Sequence, residues 1–137
     1  MASWETATRA WESFFHAPTA PHAIGLFRIV WGILMLANGV LLVRDVNRFF
    51  GPDGFLSAER YRLAYGRSRF SLFHLLPDSE FSAPLILGLH LFAVASLTVG
   101  YMTRCSCLIA FLTLVSLHHR NPAVFHSGDS LMRILTL

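Results

Sequence analysis

The chain lacks lysine altogether, and it is poor in charged residues of every kind. All 11 of its basic residues are arginine, and charged residues make up 14% of the 137 positions, against roughly 25% in an average soluble domain. Hydrophobic residues make up 54%, and the mean hydropathy is +0.52. This balance indicates a protein of the lipid bilayer, and a chain of this length holds one domain at most.

Several signatures of common functions are also missing. The net charge of +3 comes from arginines scattered between apolar segments, so the sequence predicts no nucleic-acid partner. Cys105 and Cys107 form no zinc pattern, and the histidines form no HxxxH or HExxH motif, so no metal site is predicted. No nucleophile-elbow sequence supports a Ser/His/Asp hydrolase. No cofactor is evident from these patterns.

Long apolar segments are what the chain has in quantity. Residues 84–103 contain no charged side chain, and this length matches the ~20 residues that a helix needs to cross the hydrocarbon core. We predict membrane spans at residues 22–43, 84–101 and 102–119, with the turn Gly100–Arg104 between the last two. Asn121-Pro122 ends the third span, and Ser127 is a plausible N-cap for a fourth helix. The predicted fold is all-α, a multi-pass transmembrane helical bundle of three spans and the start of a fourth.

Residues 1–21 are predicted to form a separate region in front of the transmembrane domain at 22–137. Apolar residues recur at helical spacing between Ser3 and Phe15 and form one stripe, while three charged residues lie away from it: Trp4, Ala7, Trp11, Phe14 and Phe15 against Glu5, Arg9 and Glu12. This pattern predicts an amphipathic helix lying in the headgroup plane. Pro18 and Pro21 then break the helix.

A long connection at residues 44–82 separates the first two spans. It contains the turn signal Gly51-Pro52-Asp53-Gly54 and four arginines interleaved with aromatic residues. Connections of this length are often functional. The alternative is a set of amphipathic helices on the membrane surface, and the sequence leaves both interpretations open.

Polar residues are concentrated after the third span. Asp129 and Arg133 are four residues apart with the acid first, the favourable order for an ion pair on a helix, and in lipid such a pair faces the bundle interior. The pair either fixes helix packing or belongs to a polar cavity, for which the candidate residues are Arg28, Asn121, His126, Asp129 and Arg133. Arg28 either snorkels to the interface or points inward at an acid such as Asp129. Gly25, Gly32 and Gly39 recur every seven residues and predict close helix approach.

Four segments taken together, in this order, resemble the HTTM (horizontally transferred transmembrane) domain family, which is related to vitamin K-dependent γ-glutamyl carboxylase. They are GLFRIVWGILML, FFGPDGFL, VGYMTR and RNPAVFHSGDSLMRIL, and the resemblance covers residues 22–137. It implies a multi-pass bundle of the endoplasmic reticulum membrane in animals, or of the inner membrane in bacteria. It also implies a scaffold with a polar turn, carried by Arg28, Arg104, Asn121, Asp129 and Arg133, and allows a vitamin K-type quinol as cofactor.

The resemblance does not imply carboxylase activity. The carboxylase uses a lysine base downstream of the matched region, and this chain contains no lysine. The chain stops among apolar residues without a polar flank, so we expect it to be a piece of something longer. The first hypothesis is therefore a truncated HTTM-type membrane domain, catalytically incomplete alone. The alternatives are a non-enzymatic membrane module that completes its bundle with another subunit or a second copy, and a quinone-using membrane enzyme.

Overall fold

The computed structural model describes residues 11, 22–65, 69–122 and 126–136. The predicted interfacial helix lies outside these residues except for Trp11, which is exposed.

The described part of the chain is helical and contains no strand, which confirms the all-α prediction. Its α-helices are α1 (His22–Leu42), α2 (Val46–Phe50), α3 (Ala58–Tyr65), α4 (Ser82–Val99), α5 (Thr103–Arg120) and α6 (Ser127–Thr136). Short 3₁₀ turns occupy Val43–Asp45 and Leu72–His74.

Two helical stretches are long and apolar enough to cross a membrane. The first is His22–Phe50, where α1 continues through a 3₁₀ turn into α2, and the second is α4. The second overlaps the predicted span 84–101, whereas the first contains the predicted span 22–43 and continues into the predicted connection. The third predicted span is the helix α5, but this helix does not meet the same criterion of length and composition. Two helices are therefore long and apolar enough to span a membrane, and the multi-pass arrangement stays a prediction.

Helix α4 packs against both α1 and α5, and two apolar clusters fill the space between these helices. One cluster lies near the connection and contains Val46, Phe50, Ala83, Ile86, Leu87 and Leu117. The other lies further along the helices, toward the Gly100 turn, and contains Met35, Ala93, Val94, Ala110 and Leu114. Helix α6 returns along α5, so that Thr136 contacts Cys107 of α5 and Met35 of α1.

Close approach of α1 and α4 depends on two of the three predicted glycines. A Cβ atom at Gly32 would overlap the Thr98 hydroxyl, and one at Gly39 would lie 2.7 Å from Leu91 Cδ2. Among the described residues, no atom lies within 4 Å of that position at Gly25. The predicted close approach is therefore confirmed at Gly32 and Gly39, and no described residue makes it at Gly25.

The tight turn between α4 and α5 forms as predicted. Gly100 has a φ of 91°, which suits glycine because it lacks a Cβ atom. Its amide donates to the Ser96 and Leu97 carbonyls, and the Tyr101 amide also donates to Ser96. The Arg28 guanidinium lies directly over Gly100, so Arg28 belongs to this end of the bundle.

In the structure the connection between α1 and α4 comprises residues 43–81, against the predicted 44–82. It is folded onto the opposite end of the bundle. The Leu72 amide donates to Ser116 Oγ at 3.0 Å, and Ser71 Oγ donates to the Ser116 carbonyl at 3.3 Å. Ser57 Oγ accepts from the Arg60 amide at 3.4 Å at the start of α3. The connection is therefore a set of short helices joined by turns and attached to the end of α5.

Candidate functional site

Three ionisable side chains form a row between α5 and α6. Arg133 Nε donates to His118 Nδ1 at 3.0 Å, and His118 Nε2 lies 3.9 Å from Asp129 Oδ1. Because Nδ1 accepts a hydrogen bond, the proton of a neutral imidazole is on Nε2, the nitrogen that faces Asp129. We call Arg133, His118 and Asp129 the His118 cluster.

The predicted Asp129–Arg133 ion pair does not form as a direct contact. Among the described residues the ion pairs within 4.0 Å are Arg48–Asp45, Arg62–Asp78 and His118–Asp129. The imidazole of His118, contributed by the neighbouring helix, takes the place between the two side chains. The four-residue spacing brought acid and base to one face of α6, but α5 packs against that face.

Local capping fixes the position of Asp129. Its Oδ2 accepts from the His126 amide at 2.8 Å, and the His126 carbonyl accepts from the Asp129 amide at 3.0 Å. Asp129 is the third residue of α6. The bond from the His126 amide to its side chain is one of the two bonds of a capping box in which His126 is the N-cap. The predicted N-cap at Ser127 is wrong by one residue, because Ser127 is already the first helical residue.

A small cavity lies beside the His118 cluster. Its volume is about 40 Å³, enough for one water molecule at roughly 30 Å³. Side chains from α1, α4, α5 and α6 line it, and the polar ones are Asn38, His90, His118 and Asp129. Two imidazoles and a carboxylate around a space of this size can hold a water molecule and pass a proton along hydrogen bonds.

His90 is the most deeply buried ionisable group in this region. It is 3% exposed, and its Nδ1 lies 2.9 Å from Thr113 Oγ1. The Thr113 hydroxyl donates to the Ile109 carbonyl at 2.7 Å, so it accepts from His90 Nδ1–H. That assignment leaves His90 Nε2 as a hydrogen-bond acceptor.

A separate polar arrangement attaches the connection to the end of α5. Arg120, 5% exposed, donates from Nε to the Phe50 carbonyl at 3.2 Å and from Nη2 to the Gly51 carbonyl at 3.0 Å. Its guanidinium carbon lies 5.4 Å from the ring centroid of Tyr61 and 5.8 Å from that of Phe73. Burial raises the pKa of Tyr61, because the phenolate would lose hydration.

The predicted site residues fall into three places. Asp129 and Arg133 are in the His118 cluster, and His126 joins it through its backbone amide. Asn121 is 1% exposed and donates to the Phe49 carbonyl at 2.9 Å, so it holds the connection. Arg28 lies at the Gly100 turn, at the opposite end of the bundle, and the suggested pairing of Arg28 with Asp129 is wrong.

His118, His90 and Arg120 were not among the predicted site residues. The spacing contained a signal for His118, because Ala110 and Leu114 are buried and the residue four positions further on shares their face. His119 points elsewhere, with Nδ1 2.6 Å from the Phe70 carbonyl. Within the residues that the structure describes, no group of three or more His, Cys, Asp or Glu side chains is arranged to hold a metal ion.

No family model, curated protein or solved structure matches the chain. The resemblance to the HTTM family accordingly rests on the sequence segments quoted above.

Proposed function

We propose that this chain is an integral membrane helical module of the HTTM type, with the His118 cluster as its functional site. The observation that supports membrane insertion best is the exposure of the first apolar stretch. Only 17% of the most apolar part of His22–Phe50 is buried, and large side chains are exposed along α1: Ile24, Leu26, Phe27, Ile29, Val30, Ile33, Leu34, Val40 and Leu41. A soluble protein rarely exposes so large a contiguous apolar surface, whereas lipid tails would cover it.

The pattern of α5 supports a third span. Three of its hydroxyl residues face inward, since Ser106 is 5% exposed and Thr113 and Ser116 are 0% exposed. Each of these hydroxyls donates to a backbone carbonyl, at 2.9, 2.7 and 2.6 Å respectively. Hydroxyls satisfied in this way are tolerated inside a bilayer. They lower the hydropathy of α5 without placing a polar group against lipid.

The proposed activity is limited to what the residues present can do. The carboxylase that the family resembles uses a lysine base, and this chain has no lysine. The His118 cluster instead offers an imidazole between a guanidinium and a carboxylate, and ionisable groups of this kind inside membranes commonly belong to proton or substrate pathways. Use of a quinol is an alternative that rests on the family resemblance alone.

A non-enzymatic module that binds another subunit or a second copy is the second candidate function. It is favoured by the outer face of α6, where Leu131 is 53% exposed and Ile134 is 71% exposed. Lipid or a helix of a partner can cover this face.

Two matched substitutions test membrane insertion. Ile33 on α1 is 54% exposed and Leu63 on α3 is 81% exposed, so a soluble fold would tolerate aspartate at either position. In a bilayer, Ile33→Asp places a charge near the middle of a span at a cost of about 3 kcal/mol, whereas Leu63 belongs to the connection.

The measurement is the fraction of chain that stays in membranes after alkaline carbonate washing and is then extracted by detergent. We expect wild type and Leu63→Asp to remain in the membrane and Ile33→Asp to be depleted. Release of the wild-type chain by carbonate alone, or equal behaviour of the two variants, would contradict the proposal.

A further inference from the structure

An open groove lies beside the turn that joins α4 to α5, at the end of the bundle opposite the connection. Its volume is about 530 Å³, and it is lined by Leu97 of α4 and by Thr103, Arg104, Cys107 and Leu108 of α5. Ligand pockets commonly have roughly 300–1,000 Å³, so the groove has room for a substantial part of an organic ligand. Its lining is predominantly apolar, with the cation Arg104 among the lining residues. We call it the turn groove.

Two arginine side chains at this end of the bundle have no acceptor within the described part of the chain. Arg104 is exposed in the first turn of α5, and the guanidinium of Arg28 lies over Gly100. Neither side chain forms a hydrogen bond or an ion pair with a described residue. Both guanidinium groups can therefore bind an acceptor from outside the bundle.

The acidic side chains of the described residues all belong to the other end of the bundle. Five lie in the connection and one lies at the start of α6: Asp45, Asp53, Glu59, Asp78, Glu80 and Asp129. The arginines of the connection share their end with these carboxylates, whereas Arg28 and Arg104 share theirs with no described acid. The end with the turn groove is therefore positive and attracts anions.

The length of α4 fixes the depth of the turn groove in a bilayer. The helix has 18 residues, which is about 27 Å and close to the roughly 30 Å of the hydrocarbon core. A bilayer that α4 spans thus has its headgroups at the level of the turn. The turn groove extends from there along α5 toward the acyl chains, past Leu108, which is 54% exposed.

We propose that the turn groove binds one anionic phospholipid, with the headgroup phosphate on Arg104 and an acyl chain in the groove. The phosphate oxygens accept charge-assisted hydrogen bonds from the guanidinium of Arg104, and the chain covers the apolar lining. Arg28, over Gly100, adds positive charge at the same end. This inference rests on the membrane insertion proposed above and adds a selective lipid partner to it.

Lipid-dependent thermal stability of the purified full chain in an uncharged detergent tests the proposal. Dioleoylphosphatidylglycerol, which is anionic, is compared with dioleoylphosphatidylcholine, which has the same acyl chains and no net charge. A ligand that binds the folded state raises the unfolding midpoint in a saturable manner. We expect the anionic lipid to reach half of its stabilisation at about tenfold lower concentration than the uncharged one.

Matched arginine variants identify the headgroup contact. Arg104 is exposed, so Arg104→Gln should fold and should require about tenfold more phosphatidylglycerol for half of the stabilisation. Arg28→Gln should change the lipid dependence in the same direction by a smaller factor. Arg60→Gln is the control, because Arg60 is also exposed but belongs to α3 in the connection. Its lipid dependence should equal that of the wild type.

Matched tryptophan variants identify the acyl chain. Leu108 lines the turn groove, whereas Ile109, which is 37% exposed, does not. The indole of Leu108→Trp takes up space in the groove, so this variant should require several-fold more of either lipid. Ile109→Trp should behave as the wild type does.

Four results would overturn the proposal. Equal stabilisation by the two lipids means that the turn groove does not select an anionic headgroup. Equal stabilisation by inorganic phosphate means that the arginines bind a free ion and not a lipid. Equal effects of Arg104→Gln and Arg60→Gln mean that the lipid responds to overall charge, and equal effects of the two tryptophan variants mean that no acyl chain occupies the groove.

These results differ from a failure of the proposed function. A chain that carbonate releases from the membrane would contradict insertion itself. A chain that stays in the membrane and shows no lipid selectivity would keep insertion and lose the lipid site.

Discussion

Two arginines near the same end of the bundle, Arg120 and Arg133, meet different kinds of partner. Arg120 is almost fully buried and donates to backbone carbonyls of Phe50 and Gly51. Arg133 is partly buried and donates to the imidazole of His118, whose other nitrogen faces Asp129.

The difference separates a structural contact from a candidate functional one. A carbonyl oxygen keeps the same charge over the whole accessible pH range, so the bonds of Arg120 attach the connection to α5 under all conditions. An imidazole nitrogen accepts a hydrogen bond only while it carries no proton, so the bond from Arg133 to His118 Nδ1 is lost when that nitrogen is protonated. Similar guanidinium groups therefore attach two segments at one place and form a protonation-dependent contact at the other.

The largest expected effect is that of Arg120→Gln. The change removes a buried cation and leaves the Phe50 and Gly51 carbonyls without their donors, which should lower the free energy of unfolding by about 3 kcal/mol. Reversible unfolding in mixed micelles measures this loss. Arg48→Gln is the control, since the Arg48 side chain is 82% exposed and its contact with Asp45 is 4.0 Å long, and it should cost less than ~0.5 kcal/mol. Similar losses of unfolding free energy for both variants would show that the buried bonds of Arg120 do not stabilise the fold.

Asn121→Ala should have an intermediate effect of about 1–2 kcal/mol on the free energy of unfolding. Asn121 is 1% exposed, and the substitution leaves the Phe49 carbonyl without the side-chain donor that contacts it at 2.9 Å. Asn47→Ala on the exposed side of α2 should be close to neutral. Stability is measured in the same micelles. An unchanged value for Asn121→Ala would show that the bond to Phe49 does not stabilise the fold, and Asn121 would again be a candidate functional residue.

The smallest expected effect is the coupling between Asp129 and Arg133. In a double-mutant cycle of Asp129→Asn and Arg133→Gln, we expect a coupling free energy of about 0.5–1 kcal/mol. Because His118 lies between the two side chains, the coupling should disappear when the cycle is repeated with His118→Ala. Coupling that survives the loss of His118 would show that Asp129 and Arg133 interact directly, and additive single losses would show that they do not interact.

The helices were predictable because their signals are local. The start of α1 coincides with the prediction and that of α4 lies two residues earlier, since long apolar runs indicate both helices. The turn at Gly100 followed from a glycine directly before a new apolar run. Prediction was less successful where a second helix decided the outcome. Gly32 and Gly39 lie against α4, whereas Gly25, with the same spacing, has no described atom within 4 Å of its Cβ position.

The candidate site was predictable only in part. Asp129 and Arg133 were found because both lie on one face of one helix. His118 belongs to a different helix, and nothing in the spacing of α6 could reveal that an imidazole would enter between them. Asn121 and Arg120 stood in a polar segment that suggested chemistry, yet their partners are backbone carbonyls about 70 residues earlier in the chain.

The sequence by itself determined the helical class, the apolar stretches suited to a bilayer, and the acid near the start of α6. These properties depend on composition and on residues within one or two helical turns of each other. The tertiary structure decided which histidine faces inward and which arginine is buried. Those outcomes depend on contacts between distant segments, and hydrogen-bond partners there are selected by the packing of whole helices.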